Sequence, residues 1–244
     1  PQNPVAFAAK EFAQTRDGKP ALLTHDDVIT LFHEFGHGLH HLLSLVEEPS
    51  VTGISGVPWD AVELPSQFLE NWCWEQGALD LVTCHVDTGE PLPDKLLQKL
   101  RGARNFQSGM QMVRQLEFGL FDFRLHASAA QISADDIQRL LDDVRQQVAV
   151  VTPPPFDRFP HAFSHIFSGG YAAGYYGYLW AEVLSADAYN RFEQEGVFNT
   201  AAGRAFLQHI LETGGVEEPL DVFRAFRGRE PSIDAFLRHW GLNS

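Results

Sequence analysis

Apolar residues recur every three or four positions along most of this chain, and that period predicts a mainly α-helical protein. The run from Val28 to Leu39 places Val28, Leu31, Phe32, Phe35 and Leu39 at helical spacing, and a helix is expected over 24–46. Thr24 and Asp27, three apart, form a capping-box signal at its start. A second helix reads through Trp59–Trp72, with Pro65 tolerable in its first turn. Further helical patterns cover about 61–80, 94–127, 134–150, 171–195, 200–213, 218–226 and 231–240. Pro4 to Phe12 is partly alternating and reads as a strand. Residues 50–60 form a Gly/Pro-containing loop that could close over a ligand or simply connect two helices. Thr152-Pro153-Pro154-Pro155 ends a helix and opens an irregular stretch. No internal repeat or shift in composition divides residues 1–244, so one large domain is expected.

Composition narrows the function classes. A net charge of -14 argues against nucleic acid and anionic membrane surfaces, since both call for a basic patch. No apolar run is long enough to cross a bilayer, and no signal-peptide pattern is present. Two cysteines, Cys73 and Cys84, are too few for a disulfide scaffold. Both are expected as buried free thiols, which fits a reducing, cytoplasmic setting.

The chemistry is concentrated in His33-Glu34-Phe35-Gly36-His37, an HExxH pattern inside the first helical run. Positions i and i+4 share a helix face, so His33 and His37 can present imidazole nitrogens to one metal ion. Glu34, offset by about 100° on the same helix, can reach a water without displacing a ligand. Gly36 costs a helix about 1 kcal/mol relative to alanine, which makes sense if another element packs closely there. A catalytic zinc takes three protein ligands and keeps one position open. Asp60, Glu63 and Glu70 are the acidic candidates for the third. Glu63 and Glu70 are seven apart on one face, so one could bind metal while the other braces a histidine; spacing does not choose.

A third segment, Gly169-Gly170-Tyr171-Ala172-Ala173-Gly174-Tyr175-Tyr176-Gly177-Tyr178, combines glycines and tyrosines. Tyr171 and Tyr178 are seven apart, so a helix would place both hydroxyls on one side, where a phenol can donate to an oxyanion. His165 could donate as well. Without the metal motif, aromatic packing would be the simpler account of these rings. His40 and His41 follow the ligand pair and are expected to pack or face solvent, and the remaining histidines lack ligand spacing. Asp135-Asp136 and Asp142-Asp143 read as solvated helix faces, and Arg227-Gly228-Arg229-Glu230 as a loop ion pair in preference to a carboxylate-binding site.

HEFGHGLHHLL, ISGVPWDAVELPSQFLENW and SHIFSGGYAAGYYGYLW, in that order, resemble the thimet oligopeptidase family of zinc metallopeptidases, and the likeness runs from about Pro4 to the carboxyl end. The resemblance implies a mainly α, zincin-like catalytic domain with a small β-sheet near the amino end, where a peptide substrate could add as a strand. It implies one Zn2+ per chain on His33, His37 and Glu63, with Glu34 as general base. His165, Tyr171 and Tyr178 are implied to contact substrate or stabilise the transition state, Tyr175 to lie nearby. Family members are longer, with a helical amino-terminal region forming the other wall of the substrate channel. The chain is therefore expected to be the carboxyl-terminal catalytic part, with self-association through the uncovered surface as a risk. The leading expectation is an endopeptidase of short oligopeptides. A peptidyl-dipeptidase of the same family is the alternative, and a zinc-holding but inactive fragment lacking half of the cleft is the reading from a different class.

Overall fold

A computed structural model describes residues 4–8, 21–128 and 132–242. In chain order the helices are α1 (His25–Leu43), α2 (Leu64–Glu70), α3 (Gln76–Val82), α4 (Asp94–Arg104), α5 (Ser108–Ala127), α6 (Ala134–Val148), α7 (Phe159–Ala162), α8 (Gly177–Glu195), α9 (Thr200–Phe206), α10 (Pro219–Arg227) and α11 (Asp234–His239). Short 3-10 turns follow α2 at Asn71–Trp74 and α7 at Ser164–Ile166, and a π turn, Leu207–Leu211, extends α9.

The helices start and stop where side-chain chemistry directs. Thr24 caps α1, its hydroxyl accepting the Asp27 amide while the Asp27 carboxylate accepts the Thr24 amide. Ser133 and Asp136 repeat this device at α6. Where the sequence pattern ran continuously over 94–127, the chain breaks at Asn105–Gln107, because Gln107 adopts a left-handed φ of 57° that no α-helix accommodates. The expected helix over 171–195 begins only at Gly177, since Gly170 (φ 88°) and Ala173 (φ 56°) hold 169–176 in turns. The second helix likewise starts at Leu64, after a series of turns over 58–63, with Pro65 in its first turn as expected.

No strand occurs among the described residues. Pro4–Ala8, where a strand was expected, have no regular structure and Phe7 is exposed; the rest of that expected strand, 9–12, lies outside the described residues. The expected small sheet is thus not formed by Pro4–Ala8. Pairing a strand requires a neighbouring edge, and the described residues offer none.

Packing centres on α8. One core joins α8 to α2, α9, the π turn and α10 through Leu64, Phe68, Leu184, Phe192, Phe206 and Phe223, with Phe68 stacked on Phe206. A second places Phe121 and Leu125 of α5 and Leu141 of α6 against Phe163 and Ile166. A third seats Ala235 and Phe236 of α11 beside Ala186 of α8. Every metal-motif and tyrosine residue singled out above is carried by α1, by α2 and the turns that open it, by α8 or by the segment leading into α8. Asp187, fully buried in α8, takes ion pairs from Arg227 and Arg229 and accepts the Ser232 amide, so that arginine pair is structural. The loop over 50–60 is held at its base: Gly215 donates to the Val51 carbonyl, and a Cβ on Gly214 would meet that same oxygen at 2.5 Å. Cys73 is buried, but Cys84, expected to be buried, is exposed beyond the end of α3.

Candidate metal centre

The α1 and α2 backbones meet at Gly36. A Cβ there would lie 2.5 Å from the Ser66 Cα and 2.6 Å from the Pro65 carbonyl oxygen, so only glycine allows this approach. The contact brings the first turn of α2 under the two histidines. His33 Nε2 lies 3.2 Å and His37 Nε2 3.0 Å from Glu63 Oε2. These three side chains offer ligand atoms that all lie within 4.8 Å of one another. Glu70 sits on the other side of His33, its Oε1 2.7 Å from Nδ1. Asp60, the remaining acidic candidate, takes no part in this cluster.

Glu63 is 2% exposed and fully used. Oε2 also accepts the Ser66 hydroxyl at 2.9 Å, and Oε1 accepts the Tyr171 hydroxyl. Burial pushes its carboxyl up, but the hydrogen bonds from His33, His37 and Tyr171 outweigh this and hold it well below the usual carboxylate range. Burial likewise pulls the His33 imidazole down, while hydrogen bonds to Glu63 and Glu70 and their charge raise it to about 9. A buried anion flanked by two imidazoles, with a second carboxylate behind one of them, is an arrangement made to concentrate positive charge at Nε2.

The tyrosine segment forms the facing wall. Tyr171 and Tyr178 stack with ring centroids 4.6 Å apart and 22° between planes, although Tyr171 lies outside the helix. Turns bring the rings together where a shared helix face was expected to do so. The Tyr171 phenol is held well above its ordinary range by burial and by its bond to Glu63; Tyr178 is raised mainly by burial, with the charges of Glu63 and Glu34 adding to it. Glu34 is half-buried on α1. His165, exposed in the 3-10 turn, has its ring 6.3 Å from Tyr178, and its carbonyl accepts the Tyr171 amide. Tyr175 packs on Phe118 and Phe163, and its hydroxyl donates to Gln115. His40, by contrast, is buried behind the ligand pair with both ring nitrogens unpartnered, as a packing residue.

The family model for peptidase family M3 matches residues 1–242. The chain belongs to peptidase family M3. It is 61% identical over 241 residues to oligopeptidase A of Salmonella typhimurium and 60% identical over 241 residues to oligopeptidase A of Escherichia coli, covering 99% of this chain and 35% of each relative. It is 38% identical over 244 residues to dipeptidyl carboxypeptidase of Escherichia coli, a more distant relative, at the same coverage. The chain thus spans about a third of the length of these relatives. No helix among the described residues is long and apolar enough to cross a membrane.

The sequence pattern did not single out several residues that hold this candidate site together. Ser66 and Gln67 both lie in ELPSQ; Gln67 donates to the Tyr178 carbonyl at 3.0 Å, tying α2 to α8. Trp59 packs its ring 4.5 Å from Tyr171, under Gly170. Asp122 carries the turn that holds Tyr171. The available signal for Asp122 was a charge set between Phe121 and Phe123 in an otherwise apolar stretch.

Proposed function

We propose that this chain is the catalytic part of a zinc metallopeptidase that hydrolyses short oligopeptides as an endopeptidase. The observation that carries the reading is the convergence of His33 Nε2, His37 Nε2 and a Glu63 carboxylate oxygen on one point. Two imidazole nitrogens and a carboxylate oxygen suit zinc, and the donor atoms are near enough to share one ion. Bound there, zinc supplies Lewis-acid chemistry, polarising a peptide carbonyl and lowering the pKa of water towards about 7. Glu70 accepts from His33 Nδ1, which fixes the ring so that Nε2 faces the ion. The Glu34 carboxylate takes the proton from the attacking water and passes it to the leaving amine. Tyr178 donates to the developing oxyanion, with His165 beside it as a further donor. Tyr171, whose proton is committed to Glu63, orients that ligand and packs against Tyr178.

The much higher identity to oligopeptidase A than to dipeptidyl carboxypeptidase favours the endopeptidase over the peptidyl-dipeptidase. A cytoplasmic setting accords with the unpaired cysteines. The test uses the protein at its natural length, loaded with one equivalent of zinc and given an internally quenched peptide with an amidated carboxyl end. Cleavage is expected, and Glu34→Gln should keep the zinc yet lose about 10³- to 10⁴-fold in rate. Cleavage confined to the free-acid peptide would instead indicate the peptidyl-dipeptidase. A fully active Glu34→Gln protein would remove the proposed base.

A further inference from the structure

Asp122 is 0% exposed, in the carboxyl-terminal half of α5, where its buried neighbours on the helix are Phe121 and Leu125. An ionised carboxylate in that position is tolerated only where its lone pairs are filled. They are filled largely by the tyrosine segment. Oδ1 accepts the Ala173 amide at 2.9 Å, Oδ2 accepts the Tyr175 amide at 2.9 Å, and His126 Nδ1 lies 2.8 Å from Oδ1. Ala173 is one of two non-glycine residues with positive φ among the described residues. Such a conformation persists when surrounding bonds over-determine it, and the amide of the strained residue is the one Asp122 holds. From this grip the chain runs two residues back to Tyr171, whose phenol meets Glu63, and onward to Tyr178, stacked upon it. On the far side Trp59 closes over Gly170.

We infer that Asp122 is a positioning residue for the peptidase reaction: its buried carboxylate clamps the Tyr171–Tyr178 turn from behind and so sets both phenols against the metal centre. The inference rests on the proposed roles of those tyrosines. Asparagine is nearly the same size but offers one acceptor and a pair of donors, so one of the two backbone amides would face another N–H. The turn then loses a bond that no neighbouring group replaces.

The experiment uses the zinc-loaded protein at natural length and compares wild type, Asp122→Asn, Tyr171→Phe/Tyr178→Phe and the triple variant. Amide hydrogen exchange at Ala173 and Tyr175 reads the clamp without reference to activity, and should speed up at least about tenfold in Asp122→Asn. In the same variant kcat is expected to fall about 10- to 100-fold with KM within about threefold, as misplacement of a transition-state donor would do. Adding Asp122→Asn to the double-Phe protein should then change little, because the clamp has nothing left to position. A structural defect alone would lower activity equally in both backgrounds, and that result overturns the inference. So does unchanged exchange, or unchanged kcat in Asp122→Asn when the double-Phe protein is slow. Full activity in the double-Phe protein overturns the tyrosine reading first, and the inference with it. If Asp122→Asn does not fold, His126→Ala keeps both backbone bonds and removes only the imidazole partner. It should show the same pattern at about threefold, and no change in either readout counts against the clamp.

Discussion

The two halves of this centre are built by different means. The metal corner sits on helix α1 and on the turn that opens α2. His33 and His37 converge because they are one turn apart on α1, and Glu63 reaches them because Gly36 lets α2 press against that turn. The tyrosine wall sits on turns. Tyr171 and Tyr178 converge because bonds from residues far away in sequence, Asp122 and Glu63, hold a segment whose own backbone is strained at Ala173. Local periodicity therefore specifies the first half, and long-range hydrogen bonding specifies the second. The helix-borne half should therefore answer to changes at the α1–α2 contact and at the Glu70 brace, whereas the tyrosine wall should answer to changes in its distant hydrogen-bond partners.

After Glu34→Gln, the largest effect separates the two halves directly. Tyr178→Phe removes one proposed oxyanion donor and nothing from the ligand set. Turnover is expected to fall about 10²- to 10³-fold, near 3 kcal/mol of transition-state stabilisation. Zinc content by elemental analysis should stay at one per chain. Normal turnover in this variant would take Tyr178 out of the chemistry and leave the wall a packing feature.

Acid should loosen the helix-borne half through His40. Burial, with His37 and His41 adding to it, lowers its imidazole to about 4 from an ordinary 6.5. The folded protein keeps His40 neutral while the unfolded chain protonates it. The associated stability is complete above pH 6.5 and is lost as pH falls from about 6.5 to about 4, reaching about 3 kcal/mol. Chemical denaturation of the wild type and of His40→Leu across that window checks this. The variant should show a shallower fall, and equal slopes would clear His40.

Glu70→Gln tests the brace. The carboxylate accepts from His33 Nδ1 at 2.7 Å, and replacing it should weaken zinc about 10- to 100-fold. Competition with a chelator measures this. The ratio of Tyr178→Phe to Tyr178 turnover at saturating zinc should be unchanged, because Glu70 belongs to the other half.

The same division explains what could be read in advance. Thr24, Asp27, the His33–His37 spacing and Pro65 act within a few residues, so the helix start, the shared face of the two histidines and the place of Pro65 in a first turn were legible, although the second helix begins at Leu64 and not at Trp59. Glu63 and Glu70 share a helical period, and spacing could not separate them. The fold separates them through Ser66, three residues away, and Tyr171, 108 residues away. The pairing of Tyr171 with Tyr178 was expected from a continuous helix, but positive φ at Gly170 and Ala173 delays that helix to Gly177. Asp122 looks like any helix carboxylate until its partners 51 and 53 residues onward are known. Gln107 shows the same limit, since its left-handed turn interrupts an otherwise unbroken helical pattern.

The smallest test uses two glycines on one helix. Gly38 has open space where a Cβ would go, while Gly36 has the α2 backbone there. Both lie inside α1, where alanine is favoured over glycine by about 1 kcal/mol. Gly38→Ala should therefore stabilise the protein by about that amount and leave zinc affinity alone. Gly36→Ala gains the same helix propensity but must push Ser66 and Pro65 away, an overpacking cost of about 1–3 kcal/mol. Its net effect should be neutral to destabilising by about 2 kcal/mol, with weaker zinc because Glu63 moves with α2. Thermal melts and zinc titration of the two variants decide it. If Gly36→Ala bound zinc as well as Gly38→Ala does, the close contact of α1 with α2 would not be what sets the third ligand.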